Sequence, residues 1–186
     1  TELLCENALM YFKYRIVSSS RTLYIGCGSG VIAVTVSLEM SHTDITAVDI
    51  CEDALNVARE NAHRLGAQGI VFAQSDLFAA LPESERFDLI LSNPPYIADG
   101  DYDGLPPEVK ADPRLALTSG GQGLDLIKRL IAEAPDYLAP GGKLMFEIGY
   151  DQAEQIQKLV DHNESFVSSV LMKDLNDVDR VFILSV

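Results

Sequence analysis

With 186 residues, of which 47% are hydrophobic, the chain is expected to fold as a single domain with its own core, not as a disordered segment. Its 28 acidic residues against 14 lysines and arginines give a formal net charge of -14, which disfavours nucleic acid as a binding partner. The three cysteines form no C-x-x-C pair, so a reducing cytoplasm is the expected location. No apolar stretch approaches the roughly 20 residues of a membrane span, and no membrane association is expected.

Short apolar runs alternate with helical patterns along the chain, which predicts βαβ units around a parallel sheet. Strands are expected at residues 21–26, 44–50, 69–75, 87–93, 143–149, 166–173 and 180–186. The last two are separated only by a short polar turn, which predicts an antiparallel hairpin because parallel strands need a longer crossover. Helical periodicity is expected at residues 52–65, 124–137 and 152–161. Residues 98–123 show no sustained period, and such long irregular segments are usually functional.

The sequence GCGSG places three glycines, Gly26, Gly28 and Gly30, between the first predicted strand and the helix that follows it. Glycines there let the backbone turn tightly and let a ligand approach a helix N-terminus. A dinucleotide fingerprint needs glycine at position 31, where Val31 stands. The spacing therefore indicates a ligand without a pyrophosphate.

Acidic residues follow the next two predicted strands. Asp49 ends the second strand in AVDI, where a carboxylate can accept both hydroxyls of a ribose. Asp76 follows the third strand in SDLF, where it can accept an exocyclic amine, with Ile50 and Leu77 available to sandwich a flat base. An Asp after a strand is also a common helix N-cap. Taken with the glycine turn, the two acids predict a nucleoside-bearing cofactor at the carboxyl edge of the sheet.

The motif SNPPYI follows the fourth predicted strand. Asn93 offers a side-chain carbonyl, and Pro94 offers a backbone carbonyl with no N–H beside it. Pro95 stiffens the loop, and Tyr96 can cover one face of a planar group. Two fixed acceptors suit an NH2 group whose lone pair then points at an electrophile about 3 Å away. Asn93, Pro94 and Tyr96 are therefore the predicted catalytic residues, and a cofactor is expected to supply the electrophile because no metal cluster is visible in the sequence.

In their order, GCGSG, AVDI, SDLF and SNPPYI resemble the S-adenosylmethionine-dependent methyltransferases that act on planar amino groups. The downstream stretches LPPEVKADPRLAL, SGGQGLDLIKRLI, LAPGGKLMFEIGYDQ and DVDRVFIL make the resemblance closer. With them the chain resembles the HemK/PrmC-type glutamine N5-methyltransferases, which modify a glutamine of bacterial peptide-chain release factors. The resemblance covers essentially all of residues 1–186.

The resemblance implies an α/β, Rossmann-like fold with a seven-stranded, mostly parallel sheet, an antiparallel last strand and helices on both faces. It implies S-adenosyl-L-methionine as the cofactor and a release factor as the protein substrate, with no metal. The implied cofactor-binding residues are Gly26, Cys27, Gly28, Ser29, Gly30, Asp49, Ile50, Asp76, Leu77 and Asn93. The implied substrate-binding residues are Asn93, Pro94, Pro95 and Tyr96.

The chain departs from the family's pattern in two ways. Tyr24 stands two positions before the first glycine, where the family usually has an acidic residue, so weaker cofactor binding is expected. The resemblance covers a catalytic domain, residues 1–186, and the family's N-terminal helical domain, which helps to bind the release factor, is expected to be absent.

Three other functions stay open beside glutamine methylation of a release factor. A sister family methylates a glutamine of a ribosomal protein. Nucleic-acid methyltransferases acting on adenine N6 or guanine N2 share NPPY, although the acidic charge disfavours them. The third is a cofactor-binding domain with weak activity, which Tyr24 and the missing domain would explain.

Overall fold

The computed structural model describes residues 1–14, 19–40 and 42–186. Its strands are β1 Ser20–Ile25, β2 Thr43–Asp49, β3 Val71–Gln74, β4 Phe87–Ser92, β5 Leu138–Glu147, β6 Ser168–Lys173 and β7 Asp179–Ser185. Its α-helices are α1 Glu2–Lys13, α2 Val31–Glu39, α3 Glu52–Leu65, α4 Asp125–Glu133 and α5 Ala153–Asp161. Short 3-10 helices cover Asp99–Gly104, Val109–Ala111, Arg114–Ala116 and Ala134–Tyr137.

Within the described residues, the strands form one seven-stranded sheet in the order β3-β2-β1-β4-β5-β7-β6. The pairs among β1 to β5 are parallel, and β7 runs antiparallel to both of its neighbours, β5 and β6. The predicted mixed sheet with an antiparallel last strand is confirmed. Strand order reverses between β1 and β4, and open α/β sheets bind ligands at the carboxyl ends of the strands beside such a reversal.

Helices cover both faces of the sheet, as the fold prediction expected. Alternate residues of β1 divide between the faces: Leu23 and Ile25 belong to one buried cluster, and Tyr24 belongs to the other. The first cluster takes its helical residues from α4 and α5, and the second takes them from α1, α2 and α3. The helices thus fix the sheet from both sides and leave the strand ends to carry the site.

Helix α1 was not among the elements predicted from the sequence. Its buried residues Leu4, Ala8 and Phe12, at most 2% exposed, repeat every four positions and pack into the cluster with α2 and α3. That spacing places all three on one helical face, and the sequence already contained this signal.

Helix α4 ends earlier than residue 137. Pro135 has no backbone N–H, so the α-helical bond to the carbonyl of Ile131 cannot form there. Nδ2 of Asn163 donates to that carbonyl at 2.9 Å instead. The chain continues as the 3-10 helix Ala134–Tyr137.

Strand β5 begins five residues before the predicted residue 143 and ends at Glu147, not at 149. Residues 140–142, a proline followed by two glycines, lie within the strand. Gly141 there has a φ of 73°, and the register with β4 shifts between Phe87 and Leu89. An irregular strand start of this kind is a local bend that strand periodicity does not reveal.

The long segment between β4 and α4 is ordered by short contacts, not by long helices. Ile97 forms a parallel bridge with Thr118, and the guanidinium of Arg114 lies 4.8 Å from the centre of the Tyr102 ring. In the part of the chain that is described, no helix is both long and apolar enough to cross a membrane.

Candidate functional site

The glycine turn after β1 leaves open space at the carboxyl edge of the sheet. A Cβ atom placed on Gly26 or Gly28 would meet no other atom within 4 Å, so a ligand can lie against the backbone there. Gly30 has a different role, because a Cβ there would stand 2.9 Å from the Cβ of Ala58. Gly30 therefore lets α2 begin in close contact with α3, which gives this glycine a packing reason besides its predicted cofactor contact.

Cys27 anchors the turn and is 2% exposed. Its backbone N–H donates to the carbonyl of Val48 at 3.0 Å, which ties the turn to β2. Burial, followed by the negative charge of Asp49, raises the pKa of the Cys27 thiol to about 12. The thiol is thus a neutral packing group. Ser29, two positions further, is exposed, and its carbonyl accepts from Nδ2 of Asn61 at 2.9 Å.

Asp49 joins two turns through its carboxylate. Oδ2 accepts the N–H of Gly28 at 2.8 Å, and Oδ1 accepts the N–H of Cys51 at 2.9 Å. The N-cap of α3 is Cys51, so Asp49 is not that helix's cap residue. A carboxylate oxygen has lone pairs for more than one donor, so both oxygens can also accept ribose hydroxyls. Ile50, beside it, is 48% exposed.

Asp76 lies apart from the glycine turn and has a partner of its own. Nη1 of Arg129, from α4, donates to Oδ1 at 2.9 Å and to Oδ2 at 3.2 Å. The hydrogen bond to Asp76 is the main cause of a raised pKa at Arg129. An exocyclic amine would have to share the Asp76 carboxylate with this guanidinium.

Leu77 is less accessible than the sequence prediction assumed. It has a φ of 51° and its side chain is 7% exposed, within the cluster that contains Phe78. The unusual backbone angle turns the side chain toward the core. Of the two residues expected to sandwich a flat base, Ile50 is therefore the open one and Leu77 offers the edge mainly its backbone.

Asn93 follows β4 directly and sits beside the end of β5. Ser92 pairs with Phe146, so the next residues along the two strands, Asn93 and Glu147, are neighbours at the edge. Nδ2 of Asn93 donates to Oγ1 of Thr1 at 3.0 Å, and the Thr1 nitrogen contacts the Glu147 carboxylate. Because the amide nitrogen is used in this way, the carbonyl oxygen is the end of Asn93 that is left for a substrate.

Tyr96 closes the motif and is tied to the loops on both sides. Its half-buried ring packs against the cluster shared with α4 and α5, and burial raises the pKa of its hydroxyl. Its backbone carbonyl accepts from Nε2 of Gln152 at 2.9 Å. Pro94 and Pro95 lie between Asn93 and Tyr96. Because Asn93 and Tyr96 are both held by hydrogen bonds, the two prolines are fixed from both ends.

Tyr24 lies just below the edge and is 3% exposed. Burial raises the pKa of its hydroxyl, and the nearby carboxylates of Glu147 and Asp49 raise it further. The hydroxyl is neutral at physiological pH, so this position cannot supply the negative charge that the family pattern usually places there.

The structure brings the glycine turn, Asp49 and the NPPY motif together at the ends of β1, β2 and β4. Asp76 stands at the end of β3 with Arg129. Three residues at this edge were missed from the sequence: Arg129, Glu147 and Gln152. The stretch EIGYDQ contains two of them, Glu147 and Gln152, and in the sequence it contributes to the family resemblance without indicating a role for either residue. Among the described residues, no group of three or more His, Cys, Asp or Glu side chains is placed to hold a metal.

Comparison with known proteins agrees with these features. Residues 16–181 match the family model described as a methyltransferase domain. A release factor glutamine methyltransferase of Fusobacterium nucleatum is 39% identical over 98% of this chain and 51% of its own length. One of Geobacter sulfurreducens is 40% identical over 97% of this chain and 62% of its own length. The chain thus spans less than two thirds of these relatives.

Among solved structures, a methyltransferase of Pyrococcus furiosus superposes with a TM-score of 0.69 at 19% identity, covering 97% of this chain and 82% of the other. At this identity the likeness concerns the fold. The resemblance inferred from the motifs is confirmed by the curated relatives. Since the family model covers most of the chain, from before β1 into β7, the chain belongs to the methyltransferase-domain family.

Proposed function

We propose that the protein transfers a methyl group from S-adenosyl-L-methionine to the side-chain amide nitrogen of a glutamine in a bacterial peptide-chain release factor. The observation that carries this proposal is identity of 39% and 40%, over nearly the whole chain, to proteins named release factor glutamine methyltransferase. The site supports it, because the side-chain oxygen of Asn93 and the backbone carbonyl of Pro94 lie next to the glycine turn and Asp49, which can bind a nucleoside.

The cofactor residues fit the groups that S-adenosyl-L-methionine presents. The open backbone at Gly26 and Gly28 would take the methionine part, and Asp49 would take the ribose. Ile50, Asp76 and the backbone of Leu77 would border the adenine. The cofactor supplies a methyl group whose bond to sulfur breaks as the bond to the amide nitrogen forms, after which a proton leaves that nitrogen.

The acceptor residues orient a poor nucleophile. The lone pair of a glutamine amide is delocalised, so holding both of its N–H groups must supply much of the rate. The carbonyl oxygens of Asn93 and Pro94 would accept those two N–H groups, and the ring of Tyr96 would cover one face of the amide. Pro95 restricts the loop that carries them.

Residues 1–186 act as one catalytic domain in this proposal. The strands that precede the proposed cofactor residues and the strand that precedes the NPPY motif belong to the same sheet. The reaction would take place in the cytoplasm, where translation terminates. The formal charge of -14 supports a protein substrate over nucleic acid.

A methyl-transfer assay tests the proposal. Purified protein is incubated with radiolabelled S-adenosyl-L-methionine and, in parallel, with release factor, ribosomal protein and DNA. We expect label in the release factor alone, located by mass spectrometry to one glutamine, and no label when that glutamine is replaced by asparagine. Transfer to ribosomal protein or DNA but not to release factor would contradict the proposed substrate.

A further inference from the structure

Gln152 collects backbone groups from three separate segments. Its Nε2 donates to the carbonyls of Tyr96 at 2.9 Å, of Gln122 at 3.3 Å and of Gly123 at 3.3 Å. Its Oε1 accepts the N–H of Gly149 at 2.9 Å. The residue is 5% exposed, so these bonds are made away from water, where an unpaired polar group is destabilising.

The segments that Gln152 joins all border the acceptor motif. Ile97, directly after Tyr96, donates to the carbonyl of Leu117 at 2.9 Å, and Ser119 donates to the carbonyl of Ile97 at 3.0 Å. The strand end carrying NPPY and the end of the 98–123 segment are therefore already paired. Gln152 adds the loop after β5 to this pair.

Close packing around Gly123 shows how tightly the junction is built. A Cβ on Gly123 would lie 2.1 Å from the carbonyl oxygen of Tyr96 and 3.0 Å from Nε2 of Gln152. Gly123 has a φ of 69°, a backbone angle that other residues adopt at a cost. Only glycine allows the two loops and the Gln152 amide to meet at this distance.

We propose that Gln152 is a positioning residue for the methyl-acceptor pocket, which acts by fixing the backbone of Tyr96 and through it the NPPY loop. This inference rests on the proposed function of that loop. Without the Gln152 amide, the carbonyl of Tyr96 loses its nearest donor, and the ring and the Pro94 carbonyl two residues before it shift relative to the acceptor amide. The hydrogen bonds of Gln152 in the described part of the chain go to residues outside the proposed cofactor set, so we expect cofactor binding to be spared.

Two variants test this role. Gln152→Glu keeps an acceptor for Gly149 but places an oxygen against three carbonyls, and Gln152→Met removes every polar bond at similar size. Gln155→Glu is the matched control, because Gln155 is exposed in α5, the helix that directly follows Gln152. We expect both Gln152 variants to lower kcat by about 100-fold, as misplacement of reacting groups does, with the cofactor Kd changed less than about threefold. The control keeps the kcat of the parent.

A double variant separates positioning from general support. If Gln152 acts through the NPPY loop, then Gln152→Met added to Asn93→Ala lowers kcat by less than it does in the parent, because the acceptor amide has already lost one of the two carbonyls that the loop positions. The proposal would be overturned, and a merely structural role left, if the fold decreases in kcat of the two single variants multiply in the double variant. A cofactor Kd that rises in parallel with the fall in kcat would have the same meaning.

Hydrogen exchange gives a readout that needs no methyl transfer. In Gln152→Met, amides of residues 97–99, 117–123 and 149 should exchange faster, whereas those of the glycine turn should not change. Unchanged exchange in these peptides would refute the inference whatever the activity. If exchange is faster in Gln152→Met but the unmutated protein methylates no release factor, the proposed function is refuted. The role of Gln152 in positioning the NPPY loop would then still stand.

Discussion

The two halves of the carboxyl edge are fixed by opposite chemistry. At the ends of β1 and β2, the carboxylate of Asp49 accepts two backbone N–H groups, at 2.8 and 2.9 Å. At the ends of β4 and β5, the amide of Gln152 donates to backbone carbonyls and accepts a single N–H. The cofactor half therefore depends on a charge, and the acceptor half depends on a neutral amide that is nearly inaccessible to water.

This difference predicts how each half fails. Hydrogen bonds to a charged group contribute about 1.5–3 kcal/mol each, against about 0.5–1.5 kcal/mol for neutral ones. Replacing Asp49 should therefore mainly lower the affinity for the cofactor. Substitutions in the acceptor half should mainly lower kcat, because they change the geometry of the reacting atoms.

Asn93→Ala gives the largest expected effect. Removing an oxygen that holds the acceptor amide in the transition state should lower kcat at least about a thousandfold. The cofactor Kd should stay within about tenfold, since Asn93 acts mainly on the acceptor. Single-turnover methyl transfer and isothermal titration measure the two quantities. Asn176→Ala, exposed in the turn before β7, is the control. Full turnover in the Asn93 variant would end its proposed role.

Cys27 tests whether the glycine turn contributes only packing. Its pKa, raised from 9.0 to about 12, lowers the thiolate fraction at pH 8 about a thousandfold. The more basic thiolate is also more nucleophilic, with a Brønsted slope of about 0.4–0.5, so the pKa shift alone should slow alkylation by about 50-fold relative to an unshifted thiol. Because Cys27 is also 2% exposed, the folded protein should react at least this much more slowly.

Iodoacetamide labelling followed by mass spectrometry measures this rate at pH 8, with urea-unfolded protein as the reference. Raising the pH toward 11 should speed labelling of Cys27, because the thiolate fraction grows until the pKa is reached. Labelling in the folded protein as fast as in urea would show that the turn opens and is not held by Val48 and Asp49.

Asp49→Ala should weaken cofactor binding by about 30-fold, the equivalent of one charged hydrogen bond of about 2 kcal/mol. At saturating cofactor, kcat should change less than about threefold. Titration calorimetry and steady-state kinetics measure the two effects. Asp53→Ala, exposed in the first turn of α3, is the matched control. A fall in kcat at unchanged Kd would reverse the assignment of the two halves.

Arg129→Ala has the smallest expected effect. The ion pair with Asp76 is exposed, and such pairs contribute at most about 1 kcal/mol, so freeing Asp76 should tighten cofactor binding by no more than about fivefold. Lys128→Ala, on the same helix with a longer ion pair to Asp125, serves as the control. Weaker binding in the Arg129 variant would mean that the guanidinium supports the cofactor and does not compete with it.

The cofactor half could be predicted largely from the sequence because its signals are local. Helix α3 has the predicted bounds, Glu52–Leu65, since its apolar face, its acidic first turn and Gly66 at its end all lie within one stretch. The glycine turn and Asp49 are each recognisable from a few adjacent letters. Their direct bond, from Gly28 to Asp49, crosses only 21 positions.

The acceptor half was less predictable because its contacts connect distant residues. Gln152 bonds to Tyr96 across 56 positions. On the cofactor side, the bond from Arg129 to Asp76 crosses 53 positions and was missed for the same reason. A glutamine at the start of a helix or an arginine within one looks like a surface residue in the sequence. Only the folded chain shows that the first is buried and that the second occupies a predicted ligand site.

The position of β7 also sets the order in which the two halves can mature during synthesis. Because β7 lies between β5 and β6, the edge of β5 has no neighbour on that side until residues 179–185 have left the ribosome. The bond from the N–H of Ile148 to the carbonyl of Arg180, 2.9 Å, extends this dependence to the loop that carries Gly149. A nascent chain can thus form the glycine turn and Asp49 early while its open β5 edge remains prone to aggregation, and the acceptor pocket is completed last.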